Sequence, residues 1–217
     1  MPVNSIAAVK FSDRREAGKR LAESLGHLRE FRPLVIGLPR GGVVVAGEVA
    51  AALDADLDVL VVRKIGAPSQ PELGLGAIAE GGVLLLNKPL MRQVRVTKEQ
   101  LQGTIDAENI ELERRMQRYR GDRQPIDVTG RTVIVVDDGL ATGGTARVAA
   151  GALRHLAAGP ITLAVPVGSK STVEELATVF DEVVCLSTPP MFFAISQSYD
   201  NFGQTSDDEV VAVLADS

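Results

Sequence analysis

At 217 residues the chain is long enough for one sizeable domain, or for a domain carrying a small satellite. Hydrophobic residues make up 45% and charged residues 24%, a globular balance that excludes wholesale disorder. Lys and Arg total 23 against 28 Asp and Glu, a formal charge of −5; this gives no footing for a nucleic-acid coat, though a local basic cleft is still allowed.

The order of elements carries the fold argument, because no repeat period or low-complexity tract is present. A helix is expected over residues 13–25 with Ser12 as its cap. Residues 33–37 form a short apolar run, followed by Leu38-Pro39-Arg40-Gly41-Gly42 and a helix-compatible segment over 43–53. A second apolar run covers residues 59–62. Short β-branched runs separated by helical segments predict buried parallel strands with crossover helices.

The pattern changes over residues 65–87, which are rich in glycine. Runs at 75–79 and 83–86 flank Glu80-Gly81-Gly82, which predicts a hairpin that is mobile or projects from the core. A long helix follows over 98–119, with an apolar stripe of Leu101, Ile105, Leu112, Met116 and Tyr119 broken at Glu108 and Asn109. Glu111 and Arg115 have the spacing of an i,i+4 pair. Alternation then returns: strand 132–136, helix 143–157, strand 161–165, helix 172–177 and strand 183–186. The tail, 188–217, holds Met191, Phe192, Phe193, Tyr199 and Phe202 and reads as a small lobe or lid whose aromatics form its core.

The chemistry concentrates where the strand at 133–136 ends in two adjacent acids, Asp137 and Asp138. Like charges side by side at the end of a buried strand repel, so the pair lowers stability unless a ligand relieves it. A sugar diol or a hydrated cation would do so. Behind the acids, Gly139, Leu140, Ala141, Thr142, Gly143, Gly144 and Thr145 form a loop of small and hydroxyl residues that opens a helix. Glycine lets backbone approach an anion closely, and the first-turn N–H groups of a helix point at it. Acids for hydroxyls beside amides for a phosphate describe a receptor for a phosphorylated sugar. No Lys follows Gly144, which excludes a Walker loop, and Gly74-Leu75-Gly76 does not sit between a strand and a helix as a dinucleotide fingerprint would.

Asp137 to Thr145 resembles the phosphoribosyl pyrophosphate (PRPP) motif of the type I phosphoribosyltransferases. The resemblance extends to Pro39, Arg40, Gly41 and Gly42, similar to the family's pyrophosphate loop after the first strand, and to Arg63 and Lys64, a basic pair read as ending the second strand. It implies a type I phosphoribosyltransferase-like, Rossmann-like α/β fold: a parallel sheet flanked by helices, with a core over 31–187, a flexible glycine-rich hairpin over 65–88 and a C-terminal hood over 188–217. In such sheets ligands bind beyond the carboxyl ends of the strands.

The activity implied by the resemblance is transfer of the 5-phosphoribosyl group of PRPP to a nitrogenous acceptor, with inversion at C1 and release of pyrophosphate. Asp137 and Asp138 would hold the ribose hydroxyls, and residues 141–145 the 5′-phosphate. Arg40, with the Gly41 and Gly42 amides, would receive pyrophosphate, assisted by Arg63 and Lys64. Mg2+ would arrive on PRPP, meeting the two acids through water rather than in a protein-built site. The family often has a cis peptide in the pyrophosphate loop, which would be Pro39–Arg40. It also implies nucleotide metabolism close to purine salvage, and a homodimer. Where the 6-oxopurine enzymes carry an acid three positions after the acid pair, this chain has Ala141, so the loop is closer to the adenine type. The long insertion and aromatic tail resemble a group of predicted phosphoribosyltransferases instead, and the acceptor stays open, with Glu72 and Glu80 as candidate acids beside it.

Cys185, the single cysteine, excludes an internal disulfide and a cysteine-rich zinc site and reads as a buried strand residue. His27 and His155 read as surface or helix-packing residues, too few for a multi-histidine metal centre. No apolar stretch approaches the roughly 18 residues of a membrane span, and residues 1–15 lack a leader's apolar core, so the expected setting is the cytoplasm. Two alternatives remain open from the sequence: a PRPP-binding regulatory protein without turnover, and a phosphosugar phosphatase or kinase using the acids on a metal.

Overall fold

The computed structural model describes residues 9–216. Residues 1–8, most of the stretch searched for a leader, and Ser217, the last residue of the expected hood, lie outside it. Five strands, β1 (Leu34–Gly37), β2 (Asp56–Val59), β6 (Val133–Val136), β7 (Ile161–Val167) and β8 (Glu182–Ser187), form a parallel sheet in the order β2-β1-β6-β7-β8. All four residues of β1 and of β6 are buried, which is why both read as unbroken apolar runs. Alternate residues feed two cores. Val35, Ile134 and Val136 pack on the face covered by α1 (Arg14–Ser24) and α2 (Gly41–Leu53); Leu34, Ile36, Val133 and Val135 pack on the face covered by α5 (Gly144–His155) and α6 (Lys170–Leu176).

The register aligns Gly37 with both Val59 and Val136, and Val136 with Ala164. The central strands therefore stop at one level, and the loops after β1 and β6 meet at one edge. Leu38 N–H donates to the Val136 carbonyl at 2.9 Å and fixes that meeting.

The glycine-rich stretch forms a second, antiparallel sheet of β3 (Val62–Ala67), β4 (Gln70–Ala79) and β5 (Val83–Leu86). Its β4–β5 turn uses Gly81 (φ 80°) and Gly82 (φ 76°), backbone that favours glycine. The sheet does not stand free of the body. Ile65 and Leu75 are fully buried and join one core, while Ala77, Ala79 and Val83 join the other. The run read as one strand at 59–62 spans a break: β2 ends at Val59, Leu60 and Val61 form a buried link, and β3 turns into the other sheet. Uniformly apolar residues gave no signal of that change.

Helices α3 (Lys88–Val94) and α4 (Lys98–Arg120) return the chain. The α4 stripe buries Ile105, Leu112 and Tyr119, and its polar break is used, because Glu108 pairs with Arg63 at 2.7 Å. Glu111 accepts from both Arg114 and Arg115, which holds its carboxyl down to about 2. At the end of α4, buried Arg120 meets two buried acids: Nε lies 2.7 Å from Asp58 on β2, and Nη1 and Nη2 lie 2.7 and 2.8 Å from Glu80 in the hairpin turn. Arg120 also donates to the Val59 carbonyl, and Asp58 accepts from the Ile126 N–H at 3.0 Å. Glu80 is thus part of the scaffold; burial raises its pKa and Arg120 opposes that rise.

Asp13 rather than Ser12 caps α1, its side chain accepting from the Glu16 N–H at 2.9 Å. The tail contains a helix the sequence reading missed, α7 (Asp207–Ala215), capped by Ser206 and carrying acids in its first turn. Its Val-rich composition hid it. The tail aromatics form a small core: Tyr199 lies 5.6 Å from the Phe11 ring and 4.9 Å from the Phe202 ring, between centroids. Met191 and Phe193 are exposed. Cys185 lies on β8, where burial pushes its thiol up to about 12; His27 faces Glu182 at 3.2 Å near the surface. Among the described residues no helix is long and apolar enough to cross a membrane.

Removing one partner of a buried ion pair strands a charge in low dielectric, so Arg120→Leu is expected to lower unfolding free energy by about 3–5 kcal/mol. Urea denaturation checks this. A loss under about 1 kcal/mol would mean the network does not hold the second sheet to the first.

Candidate active site

The site begins at the end of β6. Asp137 and Asp138 follow Val136 directly, so a fully buried strand delivers them, partly buried, to the sheet's carboxyl edge. Asp138 N–H donates to Asp137 Oδ1 at 2.9 Å, which steadies the first acid. Burial and then the charge of Asp138 push the Asp137 pKa well above the ordinary carboxylate range. Asp138 is also raised by burial, against the pull of Arg14.

Arg14, in the first turn of α1, is the residue that sequence reasoning missed. Its Nε lies 2.8 Å from Asp138 Oδ2, its Nη1 donates to the Gly203 carbonyl at 2.7 Å, and its guanidinium carbon sits 3.9 Å from the centroid of the Phe202 ring. Tyr199 joins from the tail, its hydroxyl donating to the Asp138 carbonyl at 2.6 Å. Nothing in the sequence around Arg14 marks it, since Arg15 beside it is an ordinary surface partner of Glu48. The available signal was indirect: two neighbouring buried acids demand a cation, and the sequence reading looked for that cation only in a ligand.

The loop after β1 packs against this pair. The Pro39–Arg40 peptide is cis, and α2 starts at Gly41 with no side-chain cap. A Cβ at Gly41 would lie 1.9 Å from Asp138 Oδ2 and 2.6 Å from Arg14 Nε, and one at Gly42 would lie 2.7 Å from the Val136 carbonyl. Both glycines are required by close approach of the two loops. Arg40 has its Nη1 3.9 Å from Asp207 at the start of α7, and Asp207 also accepts from the Tyr119 hydroxyl at 2.9 Å.

The loop after the acids is turned outward by its carbonyls. Leu140 O accepts from Ser169 N–H at 3.2 Å and Ala141 O from the Thr172 hydroxyl at 2.9 Å, while Leu140 N–H is held by Val167 O at 2.8 Å. Gly143 (φ 68°) then caps α5 without a side-chain bond, and Ala141, Thr142, Gly144 and Thr145 are exposed. Carbonyls that would repel an anion are occupied on the far side, and uncapped first-turn N–H groups remain. Thr142, Gly144 and Thr145 line a cavity of about 510 Å³ with Lys64 and Arg147.

Arg63 and Lys64 are not at the end of a parallel strand. Both lie in β3, Arg63 turned to Glu108 and Lys64 donating to the Glu72 carbonyl. Alternation along β3 separates them: Lys64 shares the cavity with the Thr/Gly loop, and Arg63 faces α4. Glu72, the other candidate beside the acceptor, is an exposed side chain on β4 near Lys64. Among the described residues no group of three or more His, Cys, Asp and Glu could hold a metal ion.

The carboxyl edge of the parallel sheet thus brings together an acid pair, a Thr/Gly loop at a helix start and a second glycine loop, where ligands of open α/β sheets bind. The chain belongs to the phosphoribosyl transferase domain family, whose model matches residues 14–202. Two Mycobacterium tuberculosis proteins, from strains CDC 1551 / Oshkosh and H37Rv and each named "Putative phosphoribosyl transferase", are 50% identical over 204 residues, 94% of this chain. That match covers 46% of their length, so the chain spans about half of the curated relatives it matches. The crystal structure of TT1426 from Thermus thermophilus is 42% identical, with a TM-score of 0.84 over 96% of this chain and 99% of that one.

Two outcomes follow from the acid pair and the glycine that abuts it. Asp137 titrates above its ordinary range when folded and near about 3.9 when unfolded. Its ionised form therefore subtracts stability as pH rises through the folded value, and the penalty is absent below the unfolded value. Asp137→Asn is expected to melt higher than the parent at neutral pH, the gap closing toward about pH 4; a lower melting temperature at neutral pH contradicts this. Gly41→Ala, whose methyl would displace the largely buried Arg14–Asp138 pair, is expected to weaken ligand binding and to lower the melting temperature, as calorimetry and thermal scans would read.

Proposed function

We propose that the chain transfers the 5-phosphoribosyl group of PRPP to a nitrogenous acceptor and releases pyrophosphate. The observation that carries this reading is the juxtaposition, at one sheet edge, of the acid pair with two loops of opposite task. The Thr/Gly loop offers uncapped N–H groups and two hydroxyls to a 5′-phosphate. The loop at residues 39–42 offers Arg40 and the first N–H groups of α2 to a pyrophosphate. Between them the acid pair receives the ribose.

The hydrogen bonds inside the site use Oδ1 of Asp137 and Oδ2 of Asp138, and each acid has a second oxygen for the ribose hydroxyls. As the C1–O bond to pyrophosphate breaks, positive charge grows on the ring; the carboxyl oxygens of the acid pair, already in place, favour it without reorganising. The acceptor nitrogen's lone pair attacks C1 from the opposite face, and pyrophosphate leaves with the bonding electrons toward Arg40. The carboxylates are hard oxygen donors suited to Mg2+ that PRPP brings, met through water, where it would offset phosphate charge. The second sheet places Lys64 in the cavity that the Thr/Gly loop lines, a cation beside the 5′-phosphate.

Pyrophosphate release from PRPP and Mg2+, measured against a panel of purines, pyrimidines and small amines, tests the reading. Release with at least one acceptor is expected, and Asp138→Asn should reduce kcat/KM by roughly 100-fold or more. Tight PRPP binding with no release for any acceptor would replace the enzyme reading with the regulatory one. Phosphate release from sugar phosphates without PRPP would overturn both.

A further inference from the structure

Arg14 lies outside every segment that carried the reading above, yet its guanidinium bonds a carboxylate of the acid pair directly. Its side chain and that of Asp138 are 12% and 13% exposed, so the pair is largely withdrawn from water and weakly screened. Three contacts fix the guanidinium in different directions: Nε on Asp138 Oδ2 (2.8 Å), Nη1 on the Gly203 carbonyl (2.7 Å), and its face on the Phe202 ring (3.9 Å). A planar fork with a flat cationic face can satisfy all three together; a lysine ammonium cannot. Phe202 is itself held by Tyr199, which is bound to the Asp138 carbonyl. The result is a closed ring: Asp138, Arg14, Phe202, Tyr199 and back to Asp138. Gly41 presses on the ring from the other loop, where a side chain would overlap both charged groups.

We infer that Arg14 is a positioning residue of the ribose site: gripped by Phe202 and the Gly203 carbonyl, it fixes Asp138 through Oδ2 and leaves the other oxygen aimed at the sugar hydroxyls. The inference rests on the phosphoribosyl reading of the same site and adds to it a residue from the opposite end of the chain, together with a role for the C-terminal segment. The segment spanning residues 199–207 then serves two ends of one ligand, since Asp207 stands beside Arg40 as Gly203 stands beside Arg14. Arg14 acts on the ribose end only.

The test compares two probe ligands by calorimetry: ribose 5-phosphate, which needs the acid pair, and inorganic pyrophosphate with Mg2+, which needs the Arg40 loop. Arg14→Gln is expected to weaken ribose 5-phosphate by about tenfold to a hundredfold, the worth of one hydrogen bond to a charged group, and pyrophosphate by less than about twofold. Arg14→Lys should restore part of the loss, because it returns the charge without the fork. Phe202→Leu, which leaves every charge in place, should show a smaller loss with the same selectivity, and it serves also if Arg14→Gln does not fold. Arg15→Gln is the neighbouring control, with no change for either ligand. If the parent binds ribose 5-phosphate and Arg14→Gln or Phe202→Leu binds it equally well, the positioning role is wrong while the phosphoribosyl reading stands. Equal loss of both ligands assigns Arg14 to general scaffold and also overturns the inference. A parent that binds neither ligand removes the phosphoribosyl reading and this inference with it.

Discussion

Two carboxylates on consecutive residues, driven by a buried strand into partly buried positions, impose a constraint that much of the surrounding structure answers. Mutual repulsion and lost hydration push both toward the neutral form. The protein offsets this with a backbone N–H on Asp137 and with the guanidinium of Arg14 on Asp138. That single ion pair then dictates the neighbourhood. It excludes side chains at Gly41, brings α1 to the edge of the sheet, and draws the tail residues Tyr199, Phe202 and Gly203 over the acids. What Arg14 leaves unanswered at the pair is the feature on which the proposed ribose site rests.

A second buried cation plays the opposite part. Arg120 is met by two acids and the Val59 carbonyl, the Ile126 N–H donates to Asp58, and the cluster lies at the far end of α4. It ties β2, the hairpin turn and α4 together, and so sets where the second sheet sits over the first. The two clusters use the same chemistry to different ends. Each sets one cation against two acids, but Arg120 bonds both of its acids directly, whereas Arg14 bonds only Asp138 and leaves Asp137 with a backbone N–H. Glu80 belongs to the first kind, which is why a glutamate in a glycine-rich turn was a misleading sign of ligand binding.

Strands, helices and their alternation were legible in the sequence because buried parallel strands must be apolar throughout and helices must be periodic. The acid pair and the Thr/Gly loop were legible for a related reason: polar residues directly after a buried strand, with glycines at a helix start, have few structural uses. What failed was anything decided by direction or by distant partners. Leu60 and Val61 could not announce that the chain changes sheets. The Val-rich α7 could not be told from extended chain, and Arg63 and Lys64 took their places from β-strand alternation rather than from a strand end.

The sequence by itself therefore determined the α/β class, the alternation of strands and helices around the central sheet, and the segment that joins the acid pair to a Thr/Gly loop, because those follow from local periodicity and local chemistry. Only the tertiary structure decided which cation answers the acids, which glycines are sterically obligatory, and that the hairpin is packed rather than free. Each of these is a contact between residues far apart in the chain, 124 positions for Arg14 and Asp138. Such contacts depend on how layers stack, and no local pattern of residues encodes that.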